Sequence, residues 1–240
     1  MHAPTPKLYD VRAQLPIAIA RTLMGWMAPT TDTGVAVDVG CATAPMSWQQ
    51  RRLKPHYQWW ALDAAFPMLL EAQERGRLAA DYQAVCAQAP VLPFADGSVD
   101  TLFSSFALPW YENRTALAQE SYRVARSGAE FFLAVPIQGS LYQLLRSGFP
   151  LIGAQQSIAF AKREEWLRDM SQVGWQLERE TEQHLTEYFP AMANVLEQLS
   201  YVGIRQDDGP SGFLSAYNNE QEEHGFPVSW RVLYLHFKRH

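Results

Sequence analysis

Val35-Ala-Val-Asp-Val-Gly-Cys-Ala-Thr-Ala44 is the stretch that decides the fold. A valine-rich run bounded by Gly40 reads as a strand covered on both faces, because buried parallel strands are apolar without alternation. Gly40 allows a sharp turn and brings the backbone close to anything bound at the strand end. The same theme recurs outward along the chain. Trp59-Trp-Ala-Leu-Asp63, a weaker segment around Val85, Thr101-Leu-Phe-Ser-Ser105 and Phe131-Phe-Leu-Ala-Val135 are further strand-like runs. Helical patterns at Leu15 to Met27, Met46 to Leu53, Pro67 to Leu78 and Arg114 to Val124 separate them. Arg126-Ser127-Gly128 reads as the basic last turn and glycine stop of the last of these helices. Strand–helix alternation with short loops predicts an α/β fold with βαβ units in a mostly parallel sheet, helices on both faces. After Pro136 the rhythm changes. A helix is expected over Lys162 to Val173, an antiparallel strand over Trp175 to Leu185, a helix over Pro190 to Val202 and a last strand over Trp230 to Phe237. Asp207 to Gly212 reads as a loop. The expectation is a seven-stranded sheet: five parallel strands plus a reversed pair, with a late helical insertion.

Bulk properties narrow the function classes. The chain has 240 residues, 48% hydrophobic and 19% charged, a globular composition able to bury a core in one domain. Its net charge of −5 disfavours nucleic acid, whose phosphates demand a basic face. Two cysteines, Cys41 and Cys86, make no disulfide framework and fit a reducing, cytoplasmic setting. Met1 to Asp10 lacks the apolar run of a signal peptide, and no stretch approaches the ~18 apolar residues of a membrane span. The six histidines form no metal pattern, so no metal is expected.

Ligand chemistry should gather where strands end. Asp38, near the end of the first strand, can hold an ammonium group. Asp63, ending the second, can accept hydrogen bonds from both hydroxyls of a ribose. Each alone is also an ordinary loop acid or cap. Together they point to an adenosine-containing ligand, and the loop Ala42-Thr43-Ala44 has too few glycines to cradle a pyrophosphate.

At this point the residues resemble a family. Asp38-Val-Gly-Cys41 is similar to the first motif of class I methyltransferases, and Leu92-Pro-Phe-Ala-Asp-Gly-Ser-Val-Asp100 to the segment leading into their fourth strand. Ser104-Ser-Phe-Ala-Leu-Pro-Trp110, Tyr122-Arg-Val124, Gln138-Gly-Ser-Leu141, Met192 to Gly203 and Gly225-Phe-Pro-Val-Ser-Trp-Arg-Val-Leu-Tyr234 resemble the malonyl-acyl-carrier-protein O-methyltransferases of biotin synthesis. The resemblance implies a Rossmann-like class I methyltransferase fold and S-adenosylmethionine (SAM) as cofactor. It implies a cofactor site at Asp38, Val39, Gly40, Cys41, Asp63, Ala64, Met68, Gln88, Ala89, Ser105 and Phe106. It also implies a single domain: an N-terminal helical arm over 1–30, a cofactor half over 31–136, and a substrate half over 137–240 with the insertion at about 187–226. The chain departs from the family at Ala42 and Ala44, where glycine is usual, at Gln88 and Pro90, where acids are usual, and in a short N-terminal arm.

The implied reaction is methylation of the free carboxylate of a malonyl thioester. It needs orientation more than acid–base chemistry, and Tyr9, Tyr142, Arg146 and Tyr188 are the candidates to orient the carboxylate. Trp110 is a candidate wall of the substrate pocket. The implied partner is an acidic acyl-carrier protein, for which Arg51, Arg52 and Lys54, or Lys162, Arg163 and Arg168, are candidate docking clusters. Nucleic acid and membrane are not expected partners. Two other readings stand beside this one: another small-molecule methyltransferase, or a methyltransferase-like subunit that has lost its cofactor and acts through a protein partner.

Overall fold

Valine-rich Gly34–Val39 forms β1, pairing in parallel with a strand on each side. The computed structural model describes residues 5–89, 91–108, 113–146, 151–152, 159–206 and 225–240. A 3-10 turn, Pro6–Leu8, and α1 (Tyr9–Arg12) lead into α2 (Gln14–Met24) and β1. There follow α3 (Ser47–Leu53), β2 (Tyr57–Asp63), α4 (Phe66–Glu74), β3 (Tyr82–Cys86), β4 (Val99–Ser105), α5 (Arg114–Val124) and β5 (Ala125–Pro136). Then come α6 (Tyr142–Arg146), β6 (Leu151–Ile152), α7 (Arg163–Val173), β7 (Gln176–Phe189), α8 (Met192–Tyr201), β8 (Arg205–Gln206) and β9 (Phe226–Lys238). Pro90, Trp110 and the loop Asp207 to Gly212 lie outside the described residues.

Seven strands form one sheet in the order β3-β2-β1-β4-β5-β9-β7. The last two make the expected antiparallel pair, but only β9 opposes the remaining strands: it is antiparallel to both β5 and β7, so β7 runs with β5. A two-residue ladder joins β6 to β8 outside the main sheet. The sequence of crossovers places the site. β1-α3-β2-α4-β3 steps one way from β1, and β4-α5-β5 steps the other way from β4. Right-handed crossovers therefore put α3 and α4 on one face and α5 on the opposite one. The apolar clusters agree. Leu23, Trp59, Leu69, Tyr82, Val195 and Trp230 pack on the face of α2, α4 and α8. Val37, Leu62, Leu117, Phe131, Trp166 and Trp175 pack on the face of α5 and α7. Between β1 and β4 the strand order reverses, which leaves a crevice at their carboxyl ends.

α5 ends where expected but not by the expected signal. α5 stops at Val124, and Arg126-Ser127-Gly128 already belongs to β5. The register shifts there, from Val99 opposite Ala125 to Thr101 opposite Glu130, and Gly128 takes φ +84° inside this irregularity. The end of α5 is capped instead by Arg239, whose Nη1 donates to the carbonyls of Tyr122 and Ala125 at 2.6 Å each. That partner is distant in sequence, so local reading assigned the stop to the nearest glycine.

Candidate functional site

The crevice between β1 and β4 opens into a cleft of about 470 Å³, within the usual range for small-molecule sites. Gly40, Asp63, Ala64, Met68, Gln88, Ser105 and Phe106 line it, all of them singled out from the sequence. An adjoining recess of about 30 Å³ is bounded by Asp38, Gly40, Cys41 and Ser105 together with α2 side chains. Val39 and Ala89 are placed elsewhere: both are buried in the apolar cluster of the α5 face.

Strand alternation explains where the acids point. Val37 and Val39 face α5, so Asp38 faces α2 and α3. It is buried, at 5% exposure, and accepts a hydrogen bond from Gln50 Nε2 at 2.8 Å. Gln50 is oriented by the Tyr82 hydroxyl, which donates to its Oε1 at 2.6 Å. Burial, reinforced by the charge of Asp63, pushes the Asp38 carboxyl up to about 7 against the pull of the Gln50 bond. Asp63 closes β2 and is held from both sides. The Ala42 and Ala65 amides each donate to one of its oxygens at 2.8 Å. Burial raises its pKa, and these two amides oppose the rise. Cys41 is a buried thiol pushed up by burial, as expected of a small core residue.

The turn between β1 and α3 is tight. Gly40 has φ +75°, and a Cβ there would lie 2.0 Å from that of Ala107. Ala42 and Ala44 also occupy the left-handed region, at φ 50° and 49°. The chain thus keeps a glycine-type backbone at two alanines.

The cleft roof comes from the N-terminal arm, where Tyr9 was a candidate, and from the end of the family-like segment Met192 to Gly203, none of whose residues was assigned to the site. Tyr9 and Pro16 line the cleft from one side, and Ser200, Tyr201, Val202 and Gly203 from the other. Tyr9 and Tyr201 meet edge to face at 6.3 Å between ring centroids, and Arg12 pairs with Glu197 at 3.1 Å. The arm is therefore long enough to reach across the site. Asp10 anchors it, bound by Arg75, Arg77 and the Thr43 hydroxyl. Of these roof residues Tyr9 was named from the sequence; Pro16, Ser200, Tyr201 and Val202 are single residues that carry no motif of their own.

Of the four carboxylate candidates, Tyr9 borders the cleft. Burial, then the negative charges of Asp63 and its neighbours, push its phenol far up, so it stays a hydroxyl donor. Tyr142, Arg146 and Tyr188 are exposed and stand outside the cleft lining. The segments around Gln138-Gly-Ser-Leu141 and Phe226-Pro-Val-Ser-Trp230 dock on each other. Ser140 Oγ donates to the Arg231 carbonyl and accepts from its amide at 3.1 and 3.0 Å, and Leu141 N donates to Ser229 O at 2.6 Å. Gln143 Nε2 donates to Ser229 Oγ at 2.6 Å.

The candidate basic clusters are largely committed within the fold. Lys54 is 3% exposed, pairs with Glu130 at 3.6 Å and lies over the Tyr57 ring, so it is no docking group. Arg51 pairs with Asp81, Arg163 with Glu180 and Arg168 with Asp169. Among the described residues no group of acids, cysteines and histidines is set to hold a metal, and no helix is long and apolar enough to cross a membrane.

Comparison with known proteins follows the same lines. A methyltransferase-domain model matches residues 37–133, from β1 into β5. The malonyl-[acyl-carrier protein] O-methyltransferase of Alcanivorax borkumensis is 33% identical over 95% of this chain and 80% of that protein. The biotin biosynthesis bifunctional protein BioHC of Cellvibrio japonicus is 29% identical over 95% of this chain and 47% of its own length. Among solved structures, Bacillus subtilis YcgJ aligns with a TM-score of 0.63 at 16% identity, over 92% of this chain and 99% of that one. Geranyl diphosphate C-methyltransferase from Streptomyces coelicolor aligns at 0.62 and 14% identity, over 95% and 80%. The latter two show the fold; the identity across nearly the whole chain shows more. The chain belongs to the malonyl-[acyl-carrier protein] O-methyltransferase family and is a SAM-dependent methyltransferase of the Rossmann-like class I fold.

Proposed function

We propose that this enzyme methylates the free carboxylate of a malonyl group carried as a thioester on an acyl-carrier protein, a step in making the biotin precursor. The observation that carries the reading is the 33% identity to the Alcanivorax borkumensis enzyme of that name, extending over 95% of the chain. The division of labour is a cofactor half over 31–136 and a substrate half over 137–240 within one domain.

The residues present fit the cofactor. The recess beside Asp38, about 30 Å³, has room for a group the size of a water or an ammonium. Ser105 Oγ is buried where recess and cleft meet and has no hydrogen-bond partner among the described residues, so a bound polar group would satisfy it. Asp38 would take the methionine ammonium and Asp63 the ribose hydroxyls. Leu62, Ala64 and Met68 would pack against the adenine, with Gln88 as its polar neighbour. When bound, SAM supplies an electrophilic methyl group on a sulfonium.

The chain's own task is to bind, orient and exclude water. A malonyl carboxylate, with a reference pKa near ~4, is already ionised at neutral pH, so no general base is needed. Holding it in line is worth roughly 7–11 kcal/mol of the barrier. Tyr9, which lines the cleft and packs against Tyr201, would donate its hydroxyl to that carboxylate and with Tyr201 shield the cleft. The test is methyl transfer from labelled SAM to malonyl- and to acetyl-acyl-carrier protein. A base-labile methyl ester on the malonyl form alone is expected. Transfer to neither, by a chain that binds SAM, would point to a different small-molecule acceptor.

A further inference from the structure

Ala42-Thr43-Ala44 holds two alanines in the left-handed backbone region, at φ 50° and 49°, which the Cβ of an L-residue disfavours. Such strain persists only where surrounding contacts over-determine the geometry. Here the contacts converge on Thr43, which is fully buried between the two alanines. Arg77 Nη1 donates to the Thr43 carbonyl at 2.7 Å and to its hydroxyl at 3.0 Å. The Thr43 hydroxyl donates to Asp10 Oδ1 at 2.7 Å. Asp10 in turn pairs with Arg77 through both oxygens and with Arg75 at 2.9 Å. One peptide carbonyl and one side chain of the strained loop are therefore gripped by an ion pair between the N-terminal arm and the segment after α4. Partial burial alone would raise the Asp10 carboxyl; the hydrogen bonds from Arg77 and Thr43 hold it below the ordinary range, so it is charged at neutral pH.

We infer that Arg77 and Asp10 are positioning residues for cofactor binding: their ion pair clamps Thr43 and so imposes the left-handed geometry on Ala42 and Ala44. The link to the cofactor runs through Ala42, whose amide in that geometry donates to Asp63. The inference rests on Asp63 being the ribose acid. Relaxation of Ala42 to negative φ would turn the 41–42 peptide, which carries that amide, against the clamped Thr43 and release Asp63 from it. A loop with glycine at both positions would hold the same path without the clamp.

The test is a thermodynamic cycle. SAM affinity is measured by calorimetry for the native chain, Arg77→Ala, the Ala42→Gly/Ala44→Gly variant and the combination. Arg77→Ala should weaken binding roughly tenfold, about the effect of freeing one left-handed alanine. In the glycine background the same change should cost less than about threefold. Equal losses in both backgrounds, or no loss in either, would overturn the clamp. Amide hydrogen exchange at position 42 in cofactor-free protein reads the same coupling without SAM. Faster exchange on Arg77→Ala against the alanine loop, but not against the glycine loop, is expected. Exchange coupling without SAM binding would keep the clamp and overturn the role given to Asp63. If Arg77→Ala does not fold, Asp10→Asn repeats the cycle, since it weakens the ion pair and leaves Arg77 its bonds to Thr43.

Discussion

Asp38 carries an unusual burden for a single residue: a carboxylate buried at 5% exposure, held by a hydrogen bond from Gln50 and paired with no cation among the described residues. Its pKa of about 7, against 3.8 in the unfolded chain, sets a sign. The folded protein holds the proton between about pH 4 and 7, so this residue's contribution to stability falls as pH rises through that window. Asp38→Asn, neutral throughout, should therefore melt higher than the native chain at pH 8 and lose that advantage toward pH 4. The same change should weaken SAM binding, because the methionine ammonium loses its counter-charge. In the native protein, affinity should fall by up to about tenfold per pH unit below 7, with protons released on binding. Calorimetry in two buffers of different ionisation heat checks this, and a pH-independent affinity would remove Asp38 from the ammonium site. Gly40 gives a harder limit. With a Cβ meeting that of Ala107 at 2.0 Å, Gly40→Ala should displace the β4 end and abolish binding, read by the same titration.

At the scale of elements, the strands and the acids at their ends were legible because a buried parallel strand leaves a local apolar signature. Arg114–Val124 is a helix with the predicted bounds, and β1, β2 and β4 each contain their expected run. What local pattern could not show was contact between remote segments. The cap of α5 by Arg239, the burial of Lys54 against Glu130 and the lid of Tyr9 on Tyr201 each join residues far apart in sequence. The same holds for the junction of Gln138–Leu141 with Phe226–Arg231, whose two segments stood out separately as resembling one family. Their docking has a measurable consequence. Ser140 is fully buried and satisfies both the amide and the carbonyl of Arg231. Ser140→Ala should cost about 1–3 kcal/mol in denaturant unfolding, with SAM affinity unchanged. An unchanged midpoint would mean that the junction does not hold the segments after β5 together.

For the whole molecule, the reversal of strand order between β1 and β4 gathers Asp38, Gly40, Asp63 and Ser105 at one mouth, and the arm and α8 close over it. Arg77 and Asp10 then hold the mouth's strained loop, so the fold supplies by ion pairing what glycine would supply by freedom. The alternative of a subunit without cofactor rested on Ala42 and Ala44 together with Gln88, which lines the cleft, and Pro90, which lies outside the described residues. Both alanines keep the glycine-type backbone, which leaves the cleft open beside Asp63. The most direct test is calorimetric titration of SAM and S-adenosylhomocysteine into the native chain and Asp63→Ala, with melting temperatures of both. Micromolar binding is expected for the native chain, weakened far more by Asp63→Ala than folding is. No binding at millimolar ligand, or equal affinity for both proteins alongside a lowered melting temperature in the variant, would contradict the assignment of this cleft as the cofactor site.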